Sequence, residues 1–187
     1  STPVFGGEIV QNNGKLTGIL IDNPMAKIRI TFPELDKAAQ ITALKSAEDI
    51  AISLGLTSLV DAGLNSDVIH LIDDLQNAGD LKMRIYAMIR NNEENISEFL
   101  ESGILKTDRL NVRSVKVYAD GALGSRGAAL KEPYSDKEDH FGSMIIDLKD
   151  FKTLAVRLYN SEFQMNTHAI GDSANSIVLK TYDSLLK

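Results

Sequence analysis

The sequence lacks cysteine and tryptophan altogether, and only 6% of its 187 residues are aromatic. Without cysteine, disulfides and thiolate metal sites are excluded. No run of 18 or more apolar residues is present, so no segment is predicted to span a membrane. The 20 Lys and Arg residues are outnumbered by 26 Asp and Glu, which gives a net charge of −6. Since no basic excess can neutralise phosphates, we expect neither nucleic acid nor a membrane as a partner.

The composition that remains is that of an ordinary globular domain. Apolar residues make up 43% of the chain and charged residues 25%, enough to build a core and a solvated surface. Residues 1–7 lack the basic and apolar regions of a secretory signal. Our expectation for the compartment is the cytoplasm.

The first third of the chain is predicted to hold a hairpin followed by a long helix. Residues 8–11 and 16–21 read as strands around Asn13-Gly14, a pair that supplies the positive φ angles of a tight turn. Apolar residues then recur at helical spacing from Pro33 to about Leu54. Pro33 suits a first helical turn, and Gly55 suits the position after the last one.

From residue 57 onwards, short strands alternate with helices. We predict strands at residues 57–62, 83–89, 111–119 and 163–168, and helices at residues 65–78, at 93–100, from 148 and from 174. A long loop at residues 120–146 separates the third strand from the next helix. Strand–helix alternation with short linkers indicates a parallel α/β fold.

The two faces of the predicted strands differ, and this favours a barrel. In the third strand, Val115 and Val117 face one way while Lys116 and Tyr118 face the other. An open sheet covered by helices on both sides usually has continuously apolar strands. One apolar and one mixed face instead indicate a partial TIM (β/α)8 barrel. We divide the chain into a hairpin insertion at residues 1–32 and βα units at residues 33–187.

Four polar residues lie at or near the carboxyl ends of strands, where barrel enzymes place their chemistry. They are Asp61, Lys116, Asp120 and His168. A lysine facing a barrel interior needs a partner or a chemical role, unless it guards an exposed sheet edge. His168 suits a metal ligand or a general base, although a lone histidine is also a common structural residue.

Other polar residues have structural explanations of similar weight. Asp172 can cap the last helix, and Asp61 can mark a helix entry. The loop at residues 121–127 resembles a phosphate-binding loop only weakly, since no Gly-Lys-Ser/Thr motif is present. An active-site loop with an anion-binding Arg126 and a plain surface loop both remain open. We expect His70 and His140 to be solvated surface residues.

Four segments together resemble the YtcJ-like amidohydrolases, and they occur in that family's order. They read GGEIVQNNGKLTGIL at 6–20, GLTSLVDAG at 55–63, VKVYADGALGSR at 115–126 with AAL at 128–130 and PY at 133–134, and THAIGDSAN at 167–175.

This resemblance implies a TIM-barrel hydrolase that cleaves C–N bonds in amides, formamides or related small molecules. It implies that Lys116 is carboxylated by CO₂ and that His168 is a metal ligand. The divalent metal, expected to be zinc, would activate a water molecule. Asp120, Arg126 and Tyr134 lie in the matching loop and become substrate or loop candidates.

The sequence departs from the family pattern in its ligand set. The family's His-x-His pair, a later histidine and a final aspartate are absent, and the matching segments correspond to about the second to fifth strands. We therefore expect an internal piece of a longer protein that binds metal poorly and is inactive alone. The family often has threonine at the position of Gly127.

A non-catalytic interpretation competes with the enzyme. An α/β module with open barrel edges would self-associate, and a homodimer would complete the sheet. A dinucleotide-binding domain is a distant third interpretation, because no G-x-G-x-x-G motif joins a first strand to a helix.

Overall fold

The computed structural model describes residues 2–187. It begins with a three-stranded antiparallel sheet in the order β1-β2-β3, formed by β1 (Thr2–Val4), β2 (Gly7–Asn12) and β3 (Lys15–Asp22). Asn13 and Gly14 both have positive φ angles, 49° and 77°, as the predicted hairpin turn requires. The hairpin prediction is confirmed. The three-residue strand β1 was not predicted.

The long helix begins later than the sequence pattern indicated. After a 3-10 turn (Asn23–Met25) and the short α1 (Ala26–Arg29), α2 runs from Lys37 to Ser53. Asp36 caps it by accepting a hydrogen bond from the Ala39 N–H at 2.8 Å. The predicted start at Pro33 was therefore wrong, because the capping aspartate rather than the proline sets the first turn. The predicted end is confirmed, since Gly55 follows α2 with a φ of 78°.

The second sheet carries the predicted strands. Its order is β4-β5-β7-β6, with β8 also paired to β7. The strand β5 (Arg84–Arg90) pairs in parallel with β4 (Ser58–Leu64) on one side and with β7 (Leu110–Tyr118) on the other. β8 spans Gln164–His168. A two-residue strand, β6 (Leu105–Lys106), pairs antiparallel with β7 and was not predicted. The mixed α/β fold is confirmed, while its assignment as part of a (β/α)8 barrel stays a prediction.

Four further helices alternate with these strands. They are α3 (Ser66–Asn77), α4 (Glu93–Ser102), α5 (Leu148–Tyr159) and α6 (Asp172–Leu186). Asn92 caps α4 through the Asn95 N–H, and Asn95 in turn accepts a hydrogen bond from the Ser66 N–H at the start of α3. Each of these asparagines thus satisfies one helix-end N–H group that would otherwise lack a partner.

The core forms on the apolar faces that the strand pattern predicted. In β7 and just after it, Val115, Val117 and Ala119 are buried, as are Ala87 and Ile89 of β5. The apolar stripes of α3 and α4 are buried as well, through Ile69, Leu71, Ile72, Leu75, Ile96 and Phe99.

Contacts divide the chain into two compact units. The first comprises residues up to Pro33, Tyr118–Arg157 and Thr167–Lys187, and the second comprises Glu34–Val117 and Leu158–Asn166. None of the described helices is both long and apolar enough to cross a lipid bilayer.

Candidate functional site

His168 ends β8 in the first unit, at the carboxyl-terminal position that the sequence predicted. Its Nε2 lies 3.5 Å from the Gly121 carbonyl oxygen and 3.7 Å from Asp120 Oδ1. The ring also packs on Tyr118, with centroids 5.4 Å apart. Since both neighbours of Nε2 are hydrogen-bond acceptors, we assign the proton of neutral His168 to Nε2. The lone pair of Nδ1 is then the one suited to a metal ion.

Asp120 is a buried tether in this structure. Its side chain is 0% exposed and accepts hydrogen bonds from the backbone N–H groups of Ala129 (2.9 Å), Ile170 (3.0 Å) and Gly171 (2.8 Å). Three donors from two segments engage both carboxylate oxygens. Asp120 therefore joins the loop after β7 to the turn that follows His168.

Arg126 and Tyr134 lie in the same loop and hold it together. Arg126 makes a two-pronged ion pair with Asp136 through Nε at 3.0 Å and Nη2 at 2.7 Å. Tyr134 is buried and donates its hydroxyl proton to the Ala128 carbonyl at 2.9 Å, and burial raises the pKa of Tyr134. Asp136 thus already engages two donor groups of Arg126. An anion could bind Arg126 only beside this ion pair or in place of it.

Three predictions about individual polar side chains can be compared with the structure. His70 is exposed on α3, as expected, and pairs with Glu98 at 2.5 Å. The prediction for His140 was wrong: it is partly buried, and its Nε2 lies 2.8 Å from the Arg126 carbonyl, which ties the loop internally. Asp172 does not cap α6, because its Oδ1 accepts a hydrogen bond from the Lys131 N–H instead.

Lys116 lies in the second unit, on the mixed face of β7. β7 pairs with β5, and both β6 and β8 pair with it as well, so β7 is not an edge strand and the edge-guard explanation does not apply. Lys116 pairs in register with Arg90 of β5, and its stem passes Gly63, where an added Cβ would lie 3.9 Å from the Lys116 Cγ. Partial burial lowers the pKa of Lys116, which raises the fraction of neutral amine.

Asp22, at the end of β3, was not among the sequence candidates. It has φ 58° and ψ −125°, and its carboxylate lies against the backbone of Gly121 and Gly127. Burial and the neighbouring Asp120 raise the pKa of Asp22, while His168 acts in the opposite direction. Nothing in its local sequence marks it, because its neighbours come from segments about 100 residues away.

A cavity of about 370 Å³ adjoins Asp22 within the first unit. Its lining includes Glu8, Asp22, Arg126, Gly127, Lys137 and His140. Lys137 pairs with Glu8 at 3.3 Å across this cavity. The hairpin and the loop after β7 thus meet through charged side chains.

The described residues fit a metal ion only in part. Residues 2–187 contain no group of three or more His, Cys, Asp or Glu side chains placed to hold one. Asp120 is committed to backbone donors, so His168 is the imidazole ligand that this cluster offers. Lysine becomes a ligand only as a carbamate, because an ammonium group has no lone pair.

Parallel strands alternating with helices, with polar residues at their carboxyl ends, define the α/β class in which many hydrolases are found. The chain belongs to the amidohydrolase family, because the model of that family matches residues 2–187. It is 26% identical over 195 residues to Protein LONG AFTER FAR-RED 3 of Arabidopsis thaliana, covering 98% of this chain and 33% of that protein. It is 29% identical over 184 residues to the putative amidohydrolase YtcJ of Bacillus subtilis (strain 168), covering 95% and 34%.

Two solved structures share the fold. They are uncharacterized metal-dependent hydrolases, one from Pyrococcus horikoshii OT3 and one from Pyrococcus furiosus. The first has a TM-score of 0.75 at 23% identity and the second 0.78 at 24%, each over 94% of this chain. The match covers 37% and 39% of those chains. This chain likewise spans about a third of the length of the curated relatives that it matches.

Proposed function

We propose that this chain is a segment of a metal-dependent hydrolase that cleaves C–N bonds in small amide-type molecules, including formamides. Lys116, carboxylated, and His168 would each supply a ligand to a divalent metal ion, for which zinc is our expectation. The observation that carries the proposal is the setting of His168, whose Nε2 faces two acceptors and leaves Nδ1 as the nitrogen with a lone pair. Family membership supports the reaction class.

Lys116 needs one covalent change to take this role. Its neutral amine would attack CO₂, forming an N–C bond and releasing one proton, and the carbamate would offer two oxygens. Partial burial supports this step, because a lowered pKa favours the neutral nucleophile. When bound, the metal ion would supply Lewis acidity and lower the pKa of a water molecule.

The other residues of the first unit would act by fixing positions. Asp120 would hold the turn after His168 through the Ile170 and Gly171 N–H groups. Arg126 and Tyr134 would keep the loop after β7 ordered beside the site. Such support matters because a metal ligand works only when its orientation is set by surrounding contacts.

Substitutions in the full-length protein that contains this segment test the proposal. We expect Lys116→Ala and His168→Ala each to lower kcat/KM on an N-formyl or N-acyl amine by more than about 100-fold, since loss of even an outer metal contact costs 10–100-fold. Acetate should restore part of the activity of Lys116→Ala, because a free carboxylate supplies the missing oxygens. The exposed Lys152→Ala and His70→Ala are the matched controls and should retain activity.

The segment alone gives a complementary measurement. We expect residues 1–187 to bind Zn²⁺ weakly in calorimetry and to show no turnover, because one histidine and one carbamate do not complete a tetrahedral site. Tight stoichiometric zinc binding together with hydrolysis by this chain would contradict the segment part of the proposal. Full activity of His168→Ala in the longer protein would contradict the site.

A second candidate function is self-association through a sheet edge. β4 lies at the end of the strand order and pairs, among the described strands, only with β5, and its Val60 side chain is 63% exposed. Such an edge is a template for another strand, and we propose a homodimer as the alternative role. Light scattering across a concentration series tests it, and a monomer at all concentrations would count against it.

A further inference from the structure

We infer that Asp22 is a positioning residue for His168: its carboxylate, set between Gly121 and Gly127, fixes the backbone carbonyl that faces the imidazole Nε2. The role in metal binding rests on the proposed function, in which His168 is the ligand. The coupling between Asp22 and His168 is a property of the first unit and can be measured separately.

The backbone at Asp22 is unfavourable for an aspartate. Its φ of 58° and ψ of −125° are those of the first central residue of a type II′ turn, where glycine is the usual residue. The side chain does not cap the 3-10 turn that follows. Its Oδ2 is buried and receives no hydrogen bond from any residue that the structure describes. A strained backbone and an unsatisfied oxygen are both costly, so the carboxylate needs a role elsewhere in the fold.

The carboxylate touches two glycines, and only glycine fits at either position. A Cβ on Gly121 would lie 2.2 Å from Oδ2 and 2.7 Å from Oδ1, and a Cβ on Gly127 would lie 2.2 Å from Oδ2. Neither glycine has a positive φ, so the backbone conformation does not require glycine there. The closest atoms to an added Cβ belong to Asp22 at both positions, and at Gly127 the next is the Gly121 Cα at 3.3 Å. The two are joined by a hydrogen bond from the Gly121 N–H to the Gly127 carbonyl at 3.3 Å. The glycines thus provide space for Asp22.

Gly121 connects this contact to the imidazole. Its carbonyl oxygen lies 3.5 Å from His168 Nε2, and the preceding residue, Asp120, is held by three backbone donors. With Asp120 fixed on one side and Asp22 on the other, the Gly121 carbonyl has little freedom to rotate. Of the two acceptors that face Nε2, that carbonyl is the nearer, at 3.5 Å against 3.7 Å for Asp120 Oδ1, and it favours the tautomer with the proton on Nε2.

Simple docking of the hairpin is a different explanation, and the structure offers a way to separate it. The hairpin also contacts the loop after β7 through Asn23 Nδ2, which donates to the Ile145 carbonyl at 2.9 Å, and through Glu8 with Lys137. Neither contact involves Gly121. Breaking the Glu8 pair therefore weakens docking and leaves the proposed coupling intact.

The decisive readout is the tautomer of His168 in the 187-residue chain. The chain has three histidines, so ¹⁵N-labelled imidazole signals can be assigned by substituting His70 and His140 in turn. Spectra are recorded over a series of rising pH, and the alkaline plateau of each signal reports the neutral ring. We expect the Nε2–H form in the wild type, and a smaller Nε2–H fraction in Asp22→Gly, which removes the Asp22 carboxylate while suiting the backbone. The Asp120 carboxylate remains beside Nε2 in this variant.

Two further variants complete this measurement. Asp22→Asn keeps the shape of the side chain and should preserve most of the Nε2–H preference. Glu8→Gln is the control and should leave the His168 signals unchanged. Unchanged His168 signals in Asp22→Gly, or an equal change in Glu8→Gln, would overturn the inference.

A stability measurement tests the glycine contact independently. Gly127→Ala should lower Tm by about 5 °C in the wild-type background, since overpacking is destabilising and each kcal/mol shifts Tm by about 2–4 °C at this size. In the Asp22→Gly background the same change should cost less than half as much. An equal loss in both backgrounds would show that Gly127 does not make room for Asp22.

The outcomes distinguish this inference from the proposed function. If Asp22→Gly shifts the tautomer while His168→Ala leaves the activity of the longer protein intact, the coupling stands and the proposed function fails. If His168 is essential for the activity of the longer protein and its tautomer does not change in Asp22→Gly, the inference fails and the proposed function stands.

Discussion

The sheet built from β5 and β7 and the loop at residues 119–147 are ordered by different forces. In the sheet, Ala87, Ile89, Val115 and Val117 are all at or below 1% exposure, and Ser114 is the polar residue buried among them. Such burial is non-directional and stabilises by roughly 25 cal/mol per Å² of apolar area. The loop has little regular structure and is held by directional polar contacts.

The loop's contacts are individually specific. Asp120 accepts three backbone N–H groups, Tyr134 donates to Ala128, and His140 contacts the Arg126 carbonyl. Two glycines lie very close to neighbouring backbone. A Cβ added to Gly142 would lie 2.0 Å from the Ala128 carbonyl oxygen, and one added to Gly171 would lie 1.9 Å from the Ala129 carbonyl oxygen. A loop of this kind tolerates few changes, because each contact has one geometry that satisfies it.

The contrast between the apolar sheet and the polar loop indicates which region can orient functional side chains. Apolar packing gives the strands a fixed frame, and polar tethers then set the position of individual side chains at the strand ends. His168 belongs to the second kind of region, since its neighbours are a carbonyl and a carboxylate. Substitutions in the two regions should therefore differ in how far their effects spread.

The largest effect is expected in the apolar region. Phe99 is 1% exposed on α4, and Phe99→Ala should lower the free energy of unfolding by about 4 kcal/mol, through lost burial and the cavity left behind. Urea denaturation measures the loss. Amide hydrogen exchange should speed up across β5 and β7 together, because the whole core is weakened. Exchange that changes only around α4 would show that the sheet is not one cooperative unit.

A smaller and more local effect is expected from the tether. Asp120→Asn should lower the free energy of unfolding by about 2–3 kcal/mol, because its amide NH₂ group faces backbone donors in place of an acceptor. The amides of Ala129, Ile170 and Gly171 should lose exchange protection first, with the strands keeping theirs. The exposed Asp61→Asn serves as control and should change stability by less than about 0.5 kcal/mol. Uniform loss of protection would abolish the contrast between the regions.

The apolar region was largely predictable from the sequence. Alternation along residues 111–119 and helical spacing along residues 65–78 correctly indicated β7 and α3, because burial follows directly from those periods. Errors came where pairing or capping decided the outcome. β1 and β6 are two or three residues long and exist only through their partners, and Asp36 rather than Pro33 sets the start of α2.

The candidate site was predictable only in outline. The placement of His168 at a strand end followed from the pattern, as did Asp120 after β7. The donors to Asp120 lie 9 to 51 residues away, so its tethering role needed the fold. Asp22 was missed for the same reason, since its contacts with Gly121 and Gly127 form only in the folded chain.

The smallest expected effect concerns the exposed ion pair in the loop. The Arg126 guanidinium lowers the pKa of Asp136 below its ordinary value of 3.8. A carboxyl with a lowered native pKa binds protons more readily when unfolded, so its stabilisation is present above pH 3.8 and is lost as the pH falls through the native value. Because both side chains are exposed, salt should screen this contribution and keep it small.

Asp136→Asn should therefore flatten the acid limb of the stability curve slightly and leave stability near neutral pH almost unchanged. Urea midpoints measured between about pH 2 and 7, at low and high salt, provide the comparison. Glu138→Gln removes a neighbouring exposed carboxylate without touching the ion pair and serves as the control. A large loss of stability in Asp136→Asn at neutral pH would mean that the loop depends on this pair as strongly as on Asp120. Order in the loop would then rest on surface charge as much as on the buried tether.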